Sequence, residues 1–488
     1  MPVLVNDVHS ALNPTRVREV VPITSIEVLQ GVVRQARDRG RAVCIAGKRH
    51  AMGGQPFAAG AVLLDMRPLS HVCRLDHEGG TVEAQAGTQW PQLVQALQRR
   101  QRAHGRTWGI IQKQTGADRL TIGGAVAANV HGRGLRMRPF VADVEALLIV
   151  DAQGELRRAS REENPELFRL VVGGYGLFGV VASVTLRLAP RRKLRRTVSM
   201  ERVENVIPAF DRRLADGALY GDFQFAIDEA SPAFLRKGVL ACYLPVDAAT
   251  PVPDGQVELT AEDWMHLLRL AHTQRTRAFE RYARHYLSTA GQIYWSDTHQ
   301  LGLYLDGYHR QLDRELGAHL PATEVITEVC VPRTALADFM EEARRDLRRR
   351  GAVVVYGTVR LVERDDETFL PWAREPYACV VFNLHTEHSP DGIRRSAEAF
   401  RSLIDMARWR GGSFYLTYHR FATREQVEAC HPRFAEFLRR KRQYDPDERF
   451  QSEWYRHYRE LFAPLRRGAE PGRVCEAGPM AAAAALQR

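Results

Sequence analysis

Gln114-Thr115-Gly116-Ala117-Asp118-Arg119-Leu120-Thr121-Ile122-Gly123-Gly124-Ala125-Val126-Ala127-Ala128-Asn129-Val130-His131-Gly132-Arg133-Gly134 holds five glycines in 21 residues and almost no bulk. Without Cβ atoms in the way, a flat ligand can lie directly against such backbone. The competing reading is a pair of tight turns flanking a packed Ala-rich helix. Two stretches of the same kind flank it. Upstream, Ala46-Gly47-Lys48-Arg49-His50-Ala51-Met52-Gly53-Gly54-Gln55 follows one β-rich run and precedes another, where backbone N–H groups can converge on an anion. By itself this loop reads equally as turns with a loop histidine. Downstream, Gly173-Gly174-Tyr175-Gly176-Leu177-Phe178-Gly179-Val180-Val181 adds close-approach glycines and two aromatic walls. None of the three is GxxxxGK[ST], and none is GxGxxG with an acidic residue about twenty positions on, so neither nucleotide fingerprint applies.

Around these loops, residues 23–190 alternate short β-rich runs (43–46, 62–66, 81–86, 144–150, 177–188) with helical patterns. In residues 90–100, for example, Trp90, Leu93, Val94 and Leu97 keep a 3.6-residue spacing. The polar stretch 190–196 reads as a boundary. Residues 197–415 follow another rhythm: strand 323–331, helix 333–350, strands 353–361 and 378–384, helix 391–410, strand 413–418. That order suits an antiparallel sheet with helices on one face. Helices are expected over 424–444 and near 454–462. The fold class is therefore α+β, with a first domain over 15–192, a substrate or cap domain over 197–415, a C-terminal segment over 416–466 that returns to the first domain, and a loose tail over 467–488.

Taken together and in this order, the three glycine stretches resemble the FAD-binding domain of the vanillyl-alcohol oxidase / p-cresol methylhydroxylase (PCMH-type) flavoproteins, with its two subdomains, over roughly residues 20–190. The resemblance implies that Gly47, Lys48, Arg49, His50, Ala51, Met52 and Gln55, with Thr121, Ile122, Gly123 and Gly124, wrap the FAD pyrophosphate. Thr115, Gly116, Asp118, Ala127, Asn129 and Gly132 join this set, and Gly174, Gly179, Val180 and Val181 lie beside adenine and flavin. His50 stands where relatives with covalent flavin carry the linking histidine, with Ala51 replacing their usual serine. A neutral imidazole suits that attack. No cysteine lies between Cys73 and Cys242, which excludes a second covalent link. His131 falls where relatives carry a His-Gly pair near the flavin edge, loop packing being the alternative.

Oxidation of an alcohol needs a base for the hydroxyl proton and positive charge near the reduced flavin. Strand alternation places Glu328 mid-strand with Ile326 and Cys330, opposite Val325, Thr327, Val329 and Val331. It also groups Val354, Tyr356, Thr358 and Arg360, then Asn383 with His385, and Tyr415 with Thr417 and His419. Four strands with polar mid-length groups make a binding wall or a solvated sheet face. This region is similar to alditol and sugar-lactone oxidases: Arg360 matches the arginine of their Glu-Ile-Arg strand, while Thr358 stands where their glutamate is. His419 and Arg420 fall near their histidine and lysine beside the flavin. The expectation is hydride transfer from a small polar alcohol (a polyol, sugar lactone or hydroxy acid) to flavin, with His419 or Glu328 taking the proton and Arg360 and Arg420 holding negative charge. Oxygen or another acceptor would reoxidise the flavin. Sterol-Δ24-reductase-like and decaprenylphosphoryl-ribose-oxidase-like members, which typically lack the linking histidine, are the alternatives within flavoenzymes.

The chain has 488 residues, 45% of them hydrophobic and 26% charged, as in globular proteins. Lys+Arg 69 against Asp+Glu 58 gives a net charge of +11, and only five lysines contribute, Lys48, Lys113, Lys193, Lys237 and Lys441. The arginine excess raises a nucleic-acid binder or a non-catalytic flavin carrier as readings of another class. Arg191–Arg196 and Arg345–Arg350 suit the former, but no zinc knuckle, RNP-like motif or helix-turn-helix signal accompanies them. The seven cysteines are odd in number and lack a CxxC pair, so neither a disulfide framework nor a cysteine metal site is expected. Buried thiols are. Without a long apolar run or a basic-then-apolar N-terminus, the expected location is cytoplasmic. Oligomeric state is not legible.

Overall fold

Apolar residues fill Val43–Ala46 and all but the last position of Val62–Asp65, and every residue but Ile45 is buried, the pattern of parallel strands covered on both sides. In the computed structural model, which describes residues 2–105 and 107–463, these two strands pair in parallel, and Glu19–Pro22 adds to Val62–Asp65. Helix Ile26–Asp38 begins where Ser25 accepts from the Val28 N–H, and its buried stripe is Leu29, Val33 and Ala36, packed on Val62 and Leu64. A second sheet runs in the order Leu156–Ser160, Val144–Val150, Val180–Pro190, Thr81–Gln85, Val72–Asp76, with Trp108–Ile110 on Val180–Pro190. Every pairing in it is antiparallel.

The third sheet has eight strands: Ile293–Trp295, Lys193–Arg202, Lys237–Pro245, Tyr220–Phe225, Val354–Val362, Tyr377–Glu387, Ala322–Pro332 and Ser413–Phe414. Helices Leu336–Arg350 and Pro390–Arg408 bury Phe339, Met340, Phe400 and Leu403 against Val329, Val359 and Phe382 on one face. Two further helices, Ala261–Thr273 and Arg275–Ser288, cover part of the other face, where an antiparallel sheet with helices on one side only was expected. Their signal was present: Thr260 and Asp263 form a capping box, followed by Trp264, Leu267, Leu268 and Ala271 at helical spacing.

Strand 413–418 is realised only at Ser413–Phe414. Beyond Phe414 the carbonyls of Leu416 and Thr417 accept from the Gln55 side chain, and Leu416 O also accepts from Trp454 Nε1. Side chains thus replace the ladder, and the expected alternation of Tyr415, Thr417 and His419 on one strand face does not apply. Helix 424–444 is two helices, Arg424–Cys430 and Phe434–Tyr444, because Pro432 cannot continue the first. Of the described cysteines all are free, and Cys73 is exposed where a buried thiol was expected. Cys475 and the expected loose tail 467–488 lie outside the described residues. Among the described residues no helix is long and apolar enough to cross a membrane.

The last described segment is stitched onto the first sheet: Val43 N–H donates to Arg449 O (2.7 Å) and Gln451 N–H to Val43 O (2.9 Å). What holds it is a fully buried ion pair between Lys441 and Asp445. The Asp445 carboxylate also accepts from the N–H groups of Arg449 and Phe450 (2.8 Å each). Removing one partner of such a pair strands the other charge in the interior. Lys441→Met should therefore cost about 3–5 kcal/mol, read as a lower urea midpoint. An unchanged midpoint would mean Asp445 is satisfied by those two N–H groups alone.

Candidate functional site

The glycine loops converge because strand ends deliver them to one place. Loop 47–55 leaves strand Val43–Ala46, and Thr121 caps helix Ile122–Ala128 with its side chain accepting from Gly124 N–H. The two loops touch: a Cβ on Gly47 would lie 2.3 Å from Thr121 Oγ1, so only glycine permits this contact. Between the loops and the eight-stranded sheet is a cavity of about 550 Å³.

Of the residues expected to bind cofactor, Gly47, Lys48, Arg49, His50, Ala51, Met52 and Gln55 line this cavity, as do Thr115, Gly116, Thr121, Gly123, Gly124, Ala127, His131, Gly179 and Val181. Six others do not. Asp118 pairs with the buried Lys113 ammonium (2.8 Å) and accepts from Gly302 N–H. Asn129 ends its helix at φ 46° and binds Asp365 and the Val141 N–H. Ile122 and Val180 are core residues. A Cβ on Gly132 or Gly174 would strike the carbonyl of Lys113 (2.5 Å) or Leu170 (2.0 Å), so these glycines serve backbone packing.

His50 faces the cavity with Nδ1 2.9 Å from His9 Nε2, and His9 Nδ1 is 2.8 Å from the Tyr304 hydroxyl. Burial, then the Lys48 charge, lowers the His50 pKa to about 4, so its imidazole is neutral at physiological pH. Its Nε2 is buried without a hydrogen-bond partner. His9 and Tyr304 were not foreseen. The trace of His9 in the sequence was Asp7 ahead of Ser10, whose carboxylate ties the N–H groups of His9 and Ser10 into a turn.

The opposite wall is built by register. Rows Tyr356–Asn383–Ile326, Thr358–Val381–Glu328 and Arg360–Cys379–Cys330 cross three strands, with a bulge at Val355 that parts Tyr356 from the expected Val354 face. Glu328, 2% exposed, has Oε1 2.6 Å from His131 Nε2 and accepts from the Tyr418 hydroxyl at Oε2 (3.1 Å). Burial opposes its ionisation, but the contacts with His131, Arg360 and Tyr418 outweigh it and hold the pKa below the usual carboxylate range. Tyr418 is a phenol at neutral pH, pushed far up by burial and the Glu328 charge. Arg360 lines the cavity with its Nε buried and unpartnered. His419 and Arg420 are elsewhere. His419 stacks on Phe421 (4.9 Å, 10°), and Arg420 donates to Glu453 O (2.7 Å) and Asn13 Oδ1 (3.4 Å). Neither lines the cavity.

Residues 17–160 match the FAD binding domain family. The N-terminal unit is an FAD-binding domain. An uncharacterized oxidoreductase of Rhodococcoides fascians is 33% identical over 169 residues, 35% of this chain and 36% of its own. Cytokinin dehydrogenase 4 of Oryza sativa subsp. japonica is 30% identical over 187 residues, covering 36% and 34%. L-galactono-1,4-lactone dehydrogenase 2, mitochondrial, of the same plant is 29% identical over 197 residues, covering 39% and 32%. This chain thus matches each over less than half of that relative's length. The FAD-binding domain fits its cofactor chemically: its cavity offers an unpartnered neutral imidazole nitrogen at His50, loops held together by Gly47 against Thr121, and open space over Gly116 at φ +86°.

Proposed function

We propose that the protein is an FAD-dependent oxidoreductase that oxidises a CH–OH group, with the flavin attached through His50. One observation carries this reading: a buried carboxylate, Glu328, faces the same cavity as His50 and is held ionised by His131, Arg360 and Tyr418. When bound, FAD supplies the two-electron acceptor for the hydrogen leaving carbon. Glu328 takes the hydroxyl proton, and the 2.6 Å contact with His131 Nε2 holds its carboxylate in place. Arg360 steadies the negative charge that develops on the substrate oxygen. His50 offers Nε2 for attachment while His9 orients the ring through Nδ1. His419 and Arg420 have no part in the proton transfer. Oxygen or another acceptor closes the cycle.

The test is anaerobic mixing of the holoprotein with alcohols, polyols, lactones and hydroxy acids. Bleaching of the oxidised flavin band by at least one class is expected. A flavin band that no hydroxyl compound bleaches, but that an amine does, would overturn the CH–OH assignment.

A further inference from the structure

Beyond Glu328 the cavity continues between the eight-stranded sheet and the helix pair Ala261–Thr273 and Arg275–Ser288, and this half is built differently from the flavin half. Trp264, Leu267 and Leu268 from the first helix, Phe279 and Tyr282 from the second, and Val355 from the sheet line it. These are the stripes that normally seal a helix onto a core. Here Trp264, Leu268, Phe279 and Tyr282 remain only half-buried, because what they face is the cavity. Half-buried aromatic and aliphatic groups converging on enclosed space mark a site for an apolar ligand group.

Several polar groups at this end are engaged with one another, while Asn383 Oδ1 and Arg133 Nε are left without a partner. Asp222 has Arg133 at 3.7 Å and Gln224 Nε2 at 3.1 Å, and Arg133 reaches the Tyr243 hydroxyl at 3.3 Å. Burial keeps the Tyr282 phenol un-ionised. A polyol or sugar placed among Trp264, Leu267, Leu268, Phe279 and Val355 would lose water on most of its hydroxyls without gaining a partner for each, and a buried hydroxyl left unpaired is disfavoured. A hydrocarbon or aryl arm meets no such penalty.

We infer that the substrate is an amphipathic alcohol: a CH–OH end at Glu328 and Arg360, and an apolar arm seated between Trp264, Leu268, Phe279 and Tyr282. This rests on the alcohol-oxidation reading above and sharpens its substrate class. Atoms balance as before, since the arm takes no part in bond-making: the O–H proton goes to Glu328 and the C–H hydrogen leaves with two electrons to the flavin.

The experiment uses the holoenzyme and straight-chain primary alcohols from ethanol to decanol, beside polyols of four to six carbons. Flavin reduction is followed anaerobically, and binding of the non-oxidisable methyl hexyl ether is followed by thermal shift. The expected result is a specificity (kcat/KM) for flavin reduction that rises about fourfold per methylene until the chamber is filled. Phe279→Ala and Leu268→Asp should shrink that increment and the thermal shift caused by the ether. If polyols bleach the flavin and chain length makes no difference, the chamber proposal is overturned and alcohol oxidation stands. If no alcohol reduces the flavin but the ether still stabilises the wild type and not Phe279→Ala, the chamber stands and alcohol oxidation fails. If no alcohol or polyol reduces the flavin and the ether leaves the wild type unshifted, both fail.

Discussion

Glu328→Gln is expected to slow flavin reduction by substrate about 10²–10⁴-fold, the usual contribution of a positioned base. The amide keeps the side chain's shape and its one oxygen can still accept from either His131 or Tyr418, so folding and the dissociation constant for substrate should change less than the rate. The pH dependence supplies the sign. In the wild type the Glu328 pKa lies below the usual carboxylate range because His131, Arg360 and Tyr418 outweigh the opposing effect of burial. The base form therefore persists as pH falls, and activity is lost only on the acid side. Taking away His131 removes the largest of the lowering contacts and leaves burial less opposed. In His131→Ala the acid limb must then move to higher pH. Glu328→Gln reducing flavin within threefold of wild type, or an acid limb unmoved in His131→Ala, would remove Glu328 from the chemistry.

His50→Ala should convert a chain whose denatured band fluoresces yellow into one that releases all of its flavin into the acid supernatant. The effect is all or none because, among the described residues, the other cavity-lining histidine with an unpartnered Nε2, His309, is held through Nδ1 on Glu324 (3.1 Å), a residue of the eight-stranded sheet. With a pKa of about 4 for His50 and about 3 for His9, both set first by burial, neither ring gains a proton between pH 6 and 9. Attachment to apoprotein given FAD should therefore show no acid limb in that range. His9 acts through His50 and is a positioning residue: His9→Ala should slow the appearance of covalent flavin, while the non-covalently bound fraction still shows an ordinary flavin spectrum. A wild-type band without fluorescence after denaturation would end the covalent assignment.

How much of this site was readable beforehand depends on what each residue is for. Gly47 and Gly124 were readable because close approach of a neighbouring side chain to backbone leaves little room for a Cβ, whereas Gly116 has open space around it and calls for glycine through its φ of +86°. The same logic misplaced Gly132 and Gly174, since a carbonyl at 2.5 Å or 2.0 Å from a would-be Cβ demands glycine as strictly as a cofactor does. Strand alternation put Glu328 on a polar face, but its partner His131 is 197 residues away in sequence, and no local pattern joins them. His419 and Arg420 were carried to the flavin by likeness of a late segment that continues as strand only to Phe414. Once Gln55 and Trp454 take over the carbonyls of Leu416 and Thr417, the chain leaves the sheet, His419 stacks on Phe421 and Arg420 ties the C-terminal segment to Asn13.

The arginine excess shows the same division. Composition could raise nucleic acid as a partner. In the fold Arg191 binds Asp297 at 2.8 Å, Arg196 lies 4.5 Å over the Tyr294 ring, and the basic run at the end of helix Leu336–Arg350 is paired with Glu341 and Asp346. Local sequence by itself determined the α+β class, the glycine loops, the imidazole at His50 and the mid-strand carboxylate, because backbone sterics and side-chain periodicity act over a few residues. Only the tertiary structure decided that Glu328 meets His131 and Tyr418, that His9 meets His50, and that the far half of the cavity is apolar. Those contacts bring together residues from distant strands, loops and helices, and their energies depend on burial that no short stretch of sequence encodes.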